Sequence, residues 1–200
     1  LRMKIFLYNC LILILLPAMV IRIVFKSFKD KDYRLNFSQR FGIYNNIRTL
    51  ENPIWFHAVS LGEVISSKKI ISKICKNNEV ILTVSTPTGL REAKKIYGDK
   101  LVVIYSPWDF LIFIKNFYKK FNPIALVIFE TEIWPSMIYF SSKKNIPIVL
   151  SNARLSESSF QRYRRLKFFI LDTFNKFSLI LAQSNEPVSY THLTLPTSTH

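Results

Sequence analysis

Cysteine is nearly absent from this chain: Cys10 and Cys75 are the only two, and neither stands in a CxxC pair or beside a histidine. That pattern suggests neither a disulfide framework nor a zinc site of ordinary spacing. Histidine is as sparse, with His57, His192 and His200 far apart in sequence, so no His-rich metal site is expected. The four glycines, Gly42, Gly62, Gly89 and Gly98, form no GxGxxG and no P-loop pattern. A dinucleotide enzyme or a P-loop NTPase is therefore disfavoured, because its backbone could not approach a pyrophosphate in the usual way. Acidic side chains are also few, 13 against 28 Lys and Arg, which leaves a formal charge of +15. Such a charge suits a nucleic acid, an anionic membrane or a phosphorylated substrate, and by itself chooses none of them.

The beginning of the chain favours the membrane. From Ile5 to Val24 the sequence is IFLYNCLILILLPAMVIRIV, long enough to span a bilayer as a helix. Pro17 and Arg22 interrupt the run, and an interfacial helix with one face in the headgroups also fits. Arg2 and Lys4 precede the segment, while Lys26, Lys29, Lys31, Arg34 and Arg40 follow it. That excess of positive charge places the rest of the chain on the cytoplasmic side. The stretch YRLNFSQRFGIY, from Tyr33 to Tyr44, is amphipathic and basic if helical. It reads either as a linker packed on the following domain or as a platform on anionic headgroups. The resulting division is a membrane-anchor helix over 3–25, a basic amphipathic link over 26–50 and a folded domain over 51–186.

Within that domain, short apolar runs alternate with helical stretches. Strands are predicted at Ile54–Val59, Val80–Val84, Leu101–Tyr105, Ala125–Phe129, Ile146–Leu150 and Leu179–Ala182. Between them lie helices at Gly62–Lys76, from Thr86-Pro87-Thr88-Gly89 to near Gly98, from a Ser106–Asp109 cap to about Phe121, at Trp134–Lys144 and at Ser158–Phe174. Continuously apolar strands are buried on both faces, and regular alternation with helices implies right-handed crossovers and a parallel sheet. The fold class is α/β: a Rossmann-like parallel sheet with helices on both faces, preceded by the anchor helix. Ligands on such sheets bind beyond the carboxyl ends of the strands, so chemistry is sought in the loops there.

Four loops carry candidates, each with two readings. Ser60 and Glu63 have the S-x-x-E spacing of a capping box, which explains both structurally. Alternatively, Glu63 is a carboxylate at the ligand edge, placed to take a proton, with Gly62 letting a substrate come close to the backbone. Glu130 and Glu132 end the fourth strand; they suit the dipole of the following helix or support positive charge on a sugar ring. Arg154 could hold a phosphate or carboxylate or bridge loops as a salt bridge. Thr86, Thr88 and Gly89 could bind an anion at a helix N-terminus or simply cap that helix.

Together FHAVSLGEV, TVSTPTG, SPWD, FETEIWPSMI, IPIVLSNARLS and LILAQS resemble, in order and spacing, the Kdo transferases (3-deoxy-D-manno-octulosonic acid transferases) across residues 3–186. The resemblance implies the N-terminal, acceptor-side half of a B-type glycosyltransferase fold, anchored at the cytoplasmic face of a bacterial inner membrane. It implies Glu63 as catalytic base toward a hydroxyl of the lipid A precursor (lipid IVA), with inversion at the Kdo carbon as CMP departs. Glu130, and after it Glu132, match the family's second acidic motif, and Ser60, Gly62, Thr86, Thr88, Gly89, Glu132 and Arg154 fall in substrate-binding stretches. No cofactor is implied beyond the donor CMP-Kdo, which a second domain absent from this chain would bind; no metal is expected, since there is no Asp-rich motif, and no nucleic acid. The expected partners are the lipid acceptor and an anionic membrane surface. Beyond about Pro187, VSYTHLTLPTSTH departs from the family, and 187–200 is read as a non-native tail. Two alternatives stay open: another membrane-associated B-type glycosyltransferase, and a non-enzymatic, membrane-tethered adaptor domain.

Overall fold

The computed structural model describes residues 2–130, 132–153 and 172–182. Arg154, most of the predicted 158–174 helix and the 187–200 tail lie outside the described residues. Helix α1 (Arg2–Lys29) runs unbroken through Pro17. It is the one helix among the described residues long and apolar enough to cross a membrane, with a mean hydropathy of 2.3. Six strands follow: β1 (Ile54–His57), β2 (Val80–Val84), β3 (Val102–Tyr105), β4 (Ala125–Phe129), β5 (Ile148–Ala153) and β6 (Leu179–Ala182). All pair in parallel, in the order β3-β2-β1-β4-β5-β6. This is the doubly wound, Rossmann-type order, and it reverses direction between β1 and β4.

The strands form where the apolar runs are because each is covered on both sides. Alternate residues point to opposite faces, so neighbours in one strand enter different cores. Trp55, Ile81, Ile104, Leu126, Ile128 and Leu150 pack with Ile114, Phe117 and Phe121 of α5 (Leu111–Phe121) and with Met137 and Ile138 of α6 (Pro135–Lys143). On the other face Phe56, Leu82, Val84, Val127 and Phe129 pack with Val64, Ile71, Leu90 and Ala93. These last belong to α2 (Leu61–Ser66), α3 (Lys68–Ile74) and α4 (Pro87–Tyr97). The stacked rings of Trp55 and Phe117, 3.9 Å between centroids, sit at the centre of the first core.

Three local expectations change. The predicted Gly62–Lys76 helix is divided at Ser67. Ser66 and Ser67 hydroxyls donate back to the carbonyls of Gly62 and Val64, which competes with the helical ladder. The Tyr33–Tyr44 stretch is not one amphipathic helix; it forms short 3-10 turns at Lys31–Tyr33 and Phe37–Phe41. Its Gln39 and Arg40 are buried: Gln39 accepts the Tyr105 N–H, and Arg40 donates to the Ser85 carbonyl while its guanidinium lies 4.0 Å from the Tyr105 ring centroid. Gly42 follows at φ +72°, where a Cβ would stand 2.6 Å from the Phe113 carbonyl oxygen, so only glycine fits. Asp109, predicted to cap α5, caps α6 instead, accepting from the N–H groups of Ser136 and Met137. The first N–H of α5, at Leu111, is taken by Asn9 of α1.

Candidate active site

The crevice at the reversal point is bounded by the β1–α2 loop and the β4–α6 loop. On the β1 side the capping box forms. Ser60 is the N-cap of α2, and its hydroxyl accepts the Glu63 N–H at 3.4 Å. The Glu63 carboxylate reaches back to accept the Val59 N–H at 2.7 Å. Glu63 is 6% exposed. Burial holds its carboxyl above the ordinary range, opposed by the hydrogen bonds from Val59 and Ser60, which favour the charged form. The capping reading of Ser60 and Glu63 is thus realised, and it leaves the carboxylate fixed at the ligand edge of the sheet. Gly62 faces open space, since a Cβ there would meet only the Ser60 hydroxyl, at 3.9 Å.

The β4 side is built differently. Glu130 ends its strand with φ +60°, a left-handed conformation that side chains with a Cβ seldom adopt. Its N–H donates to the Ser151 carbonyl, and its own carbonyl accepts the Glu132 N–H. Trp134 then precedes Pro135, the first residue of α6, as the Trp-Pro order predicts. Glu132 is half-buried. Burial first, and then the charges of Glu63 and Glu130, push its carboxyl up to about 7. Glu130 likewise raises Glu63. The fold therefore gathers three carboxylates from two loops into one electrostatic neighbourhood.

His57 ends β1 between these loops and was no candidate in the sequence. It is fully buried, its Nδ1 is 2.9 Å from the Thr83 hydroxyl, and its ring stands edge-on to Trp134. Burial drives its pKa down to about 3, so the ring is neutral and too weak a base to hold a proton near pH 7. Among the described residues, its Nε2 and the Trp134 Nε1 have no hydrogen-bond partner. The only sequence signal for this pair was a histidine in an apolar strand and a tryptophan before a proline.

Thr86 and Gly89 are brought to the edge of the crevice. The Thr86 hydroxyl caps α4, accepting the Gly89 N–H at 3.2 Å, and Thr88 donates to the same oxygen. Gly89 is a packing requirement: a Cβ would stand 2.9 Å from the Thr86 hydroxyl and 3.3 Å from the Ser60 carbonyl carbon. This glycine lets α4 approach the β1–α2 loop and so fixes where Ser60 and Glu63 lie. Arg154 lies outside the described residues. Among those described, no group of three or more His, Cys, Asp or Glu side chains is arranged to hold a metal ion. A small hollow lined by Lys4, Tyr8, Pro135, Tyr139 and Lys176 lies against α1 and α6.

A doubly wound sheet of this order, with acidic residues on both sides of its reversal point, defines a Rossmann-type α/β domain with an acidic ligand edge. Comparison with known proteins narrows the class. The profile of the 3-deoxy-D-manno-octulosonic-acid transferase (Kdo transferase) family matches residues 35–194, and the chain belongs to that family. The match overlaps the first residues of the 187–200 stretch. The chain is 34% identical over 184 residues to a 3-deoxy-D-manno-octulosonic acid transferase of Haemophilus influenzae, covering 90% of this chain and 43% of that protein. It is 36% identical over 138 residues to a bifunctional glycosyltransferase/methyltransferase of Fusobacterium nucleatum, 67% of this chain and 22% of that protein. A probable mitochondrial 3-deoxy-D-manno-octulosonic acid transferase of Arabidopsis thaliana is 29% identical over 179 residues, 87% of this chain and 40% of that protein. The chain thus spans less than half the length of these relatives.

Proposed function

We propose that this chain is the acceptor-side half of an inverting Kdo transferase of lipopolysaccharide synthesis, with Glu63 as general base. The observation that carries the proposal is the pairing of a hydrogen-bonded, buried Glu63 with Glu130 and Glu132 across the reversal point, in a chain of this family. Glu63 takes the proton of a sugar hydroxyl on the lipid A precursor. The freed oxygen forms a bond to the anomeric carbon of Kdo, the bond to the CMP phosphate oxygen breaks, and configuration inverts. The Val59 N–H holds the base in one orientation, and the hydroxyl approaches over Gly62, whose surface is open. Elevated proton affinity suits a base that must be ionised near neutral pH and still accept a proton. Glu130 places negative charge where positive charge develops on the sugar ring, with Glu132 beside it in the substrate-binding loop. A further domain binds CMP-Kdo, and α1 holds the assembly on the cytoplasmic face of the inner membrane, where the +15 charge meets anionic lipids.

The test is transfer of labelled Kdo from CMP-Kdo to lipid IVA by the full-length protein carrying Glu63→Gln. Loss of turnover with an unchanged unfolding transition supports the base assignment, and near-normal turnover rejects it.

A further inference from the structure

Helix α1 touches the sheet domain at both of its ends. Near the start, Asn9 is buried: its Nδ2 donates to the Ser136 hydroxyl at 3.1 Å and its Oδ1 accepts the Leu111 N–H at 2.7 Å. Lys4 pairs with Asp172 at 2.8 Å. Near the end, Ser27 is buried and its hydroxyl accepts from the Arg34 Nε at 3.0 Å. The turn that follows is tied to the opposite flank of the sheet, where Arg91 of α4 pairs with Asp30 and Asp32 and the Tyr105 hydroxyl donates to the Asp32 carbonyl. So the start of α1 rests on the α5 and α6 N-termini, and the turn directly after its end is tied to α4 and β3. Both attachments are at the carboxyl edge of one sheet.

The exposure pattern of α1 follows this placement. Ile5, Asn9 and Ser27 are buried, and Tyr8, Ile12, Leu16, Val20 and Ile23 between them are half-buried. They recur at three- and four-residue spacing, one stripe of a helix. The opposite stripe is apolar and open: Ile14 is 75% exposed, Phe25 68% and Phe28 71%, with Met3, Phe6 and Ile21 alongside. Arg22, Lys26 and Lys29 are exposed toward the end of the same helix.

Asn9 and Ser27 are separated by about 27 Å along the axis, from 1.5 Å per residue. That is close to the ~30 Å thickness of a bilayer's hydrocarbon core. Were α1 upright in a membrane, the Asn9 contacts would carry Asp109, Ser136 and the ends of α5 and α6 to the far side. A helix docked at both ends on one water-soluble edge can meet lipid only along its length. We infer that α1 lies in the plane of the membrane interface, its outer apolar stripe in the acyl boundary and its inner stripe on the domain. The basic residues near its end face anionic headgroups, and the carboxyl edge holding Glu63 is held against the lipid surface. This rests on the membrane association proposed above.

The two ideas separate in one experiment. Single cysteines replace Phe6, Ile14 and Phe25 in the full-length protein bearing Cys10→Ser and Cys75→Ala, with any other cysteines also replaced. Each carries a fluorophore, and the protein is bound to vesicles of phosphatidylethanolamine and phosphatidylglycerol whose acyl chains are brominated at graded depths. An in-plane helix places all three probes at one shallow depth, about 5–10 Å below the headgroups. A depth maximum at Ile14, with Phe6 and Phe25 nearer opposite surfaces, overturns the in-plane placement and leaves membrane association standing. Absence of quenching at all three sites overturns both, and crosslinking of the same cysteines between copies would then identify a second chain as the occupant.

Discussion

The two loops that flank the reversal point present the same chemical group in opposite ways. On the β1 side Glu63 is almost enclosed, yet backbone and hydroxyl groups meet its charge, and its proton affinity rises only through the remaining burial. On the β4 side Glu132 is less enclosed, but among the described residues no hydrogen bond opposes its shift, and burial and two neighbouring negative charges bring it to about 7. Glu130 carries its strain in the backbone. Hydrogen bonding therefore offsets part of the burial at Glu63, while burial and like charge act together at Glu132. Carboxylates of unlike proton affinity in one site can divide acid and base roles.

The sharpest way to break this contrast is to remove the satisfied member. Glu63→Ala in the full-length protein should lower transfer by about 100- to 10,000-fold, the range of a lost general base. Loss of its capping contact should cost only about 0.5–2 kcal/mol of stability; turnover and denaturant midpoints check the two effects separately. Gly89→Ala attacks the contact that positions the β1–α2 loop. It should destabilise by about 1–3 kcal/mol through overpacking, seen as a lower urea midpoint, and should impair transfer through displacement of Ser60.

Removing the unsatisfied member has a pH signature. Because Glu132 binds its proton more tightly when folded, its contribution to stability is fully present below 4.5 and is lost as pH rises through about 7. Glu132→Gln should flatten the stability profile in that window, and an unchanged slope in pH-dependent denaturation would remove Glu132 from the contrast. Glu130→Gly should stabilise by about 1 kcal/mol by relieving the left-handed backbone, measured by thermal unfolding. The smallest expected change in stability comes from Gly62→Ala. Open space surrounds the new methyl, so the fold should gain about 0.5–1 kcal/mol from helix propensity. Acceptor KM should rise nonetheless if the hydroxyl approaches there.

Much of this was legible in the sequence. The strands announced themselves because a parallel sheet covered on both faces requires continuous apolar runs, and β2 and β4 occupy the runs predicted for them. The Ser60–Glu63 cap and the Thr86 cap were readable because capping is a contact between residues three apart. Asp109 was misread for the same reason: a local pattern suggested the following helix, while the partner was α6, 27 residues away. Arg40 looked like surface charge and is enclosed by Ser85 and Tyr105, since nothing local reveals which loops converge on it.

Composition and periodicity determined the α/β class, the six strands, the apolar first helix and the basic character, because each depends on residue type and short-range spacing; the order of its motifs carried the resemblance to the family. Tertiary structure decided the strand order, the meeting of Glu63 with Glu130 and Glu132, the neutral burial of His57 and the docking of α1 at both ends. Those depend on contacts between residues from 26 to more than 100 positions apart, which burial and hydrogen-bond satisfaction across the whole sheet select, and which no local pattern encodes.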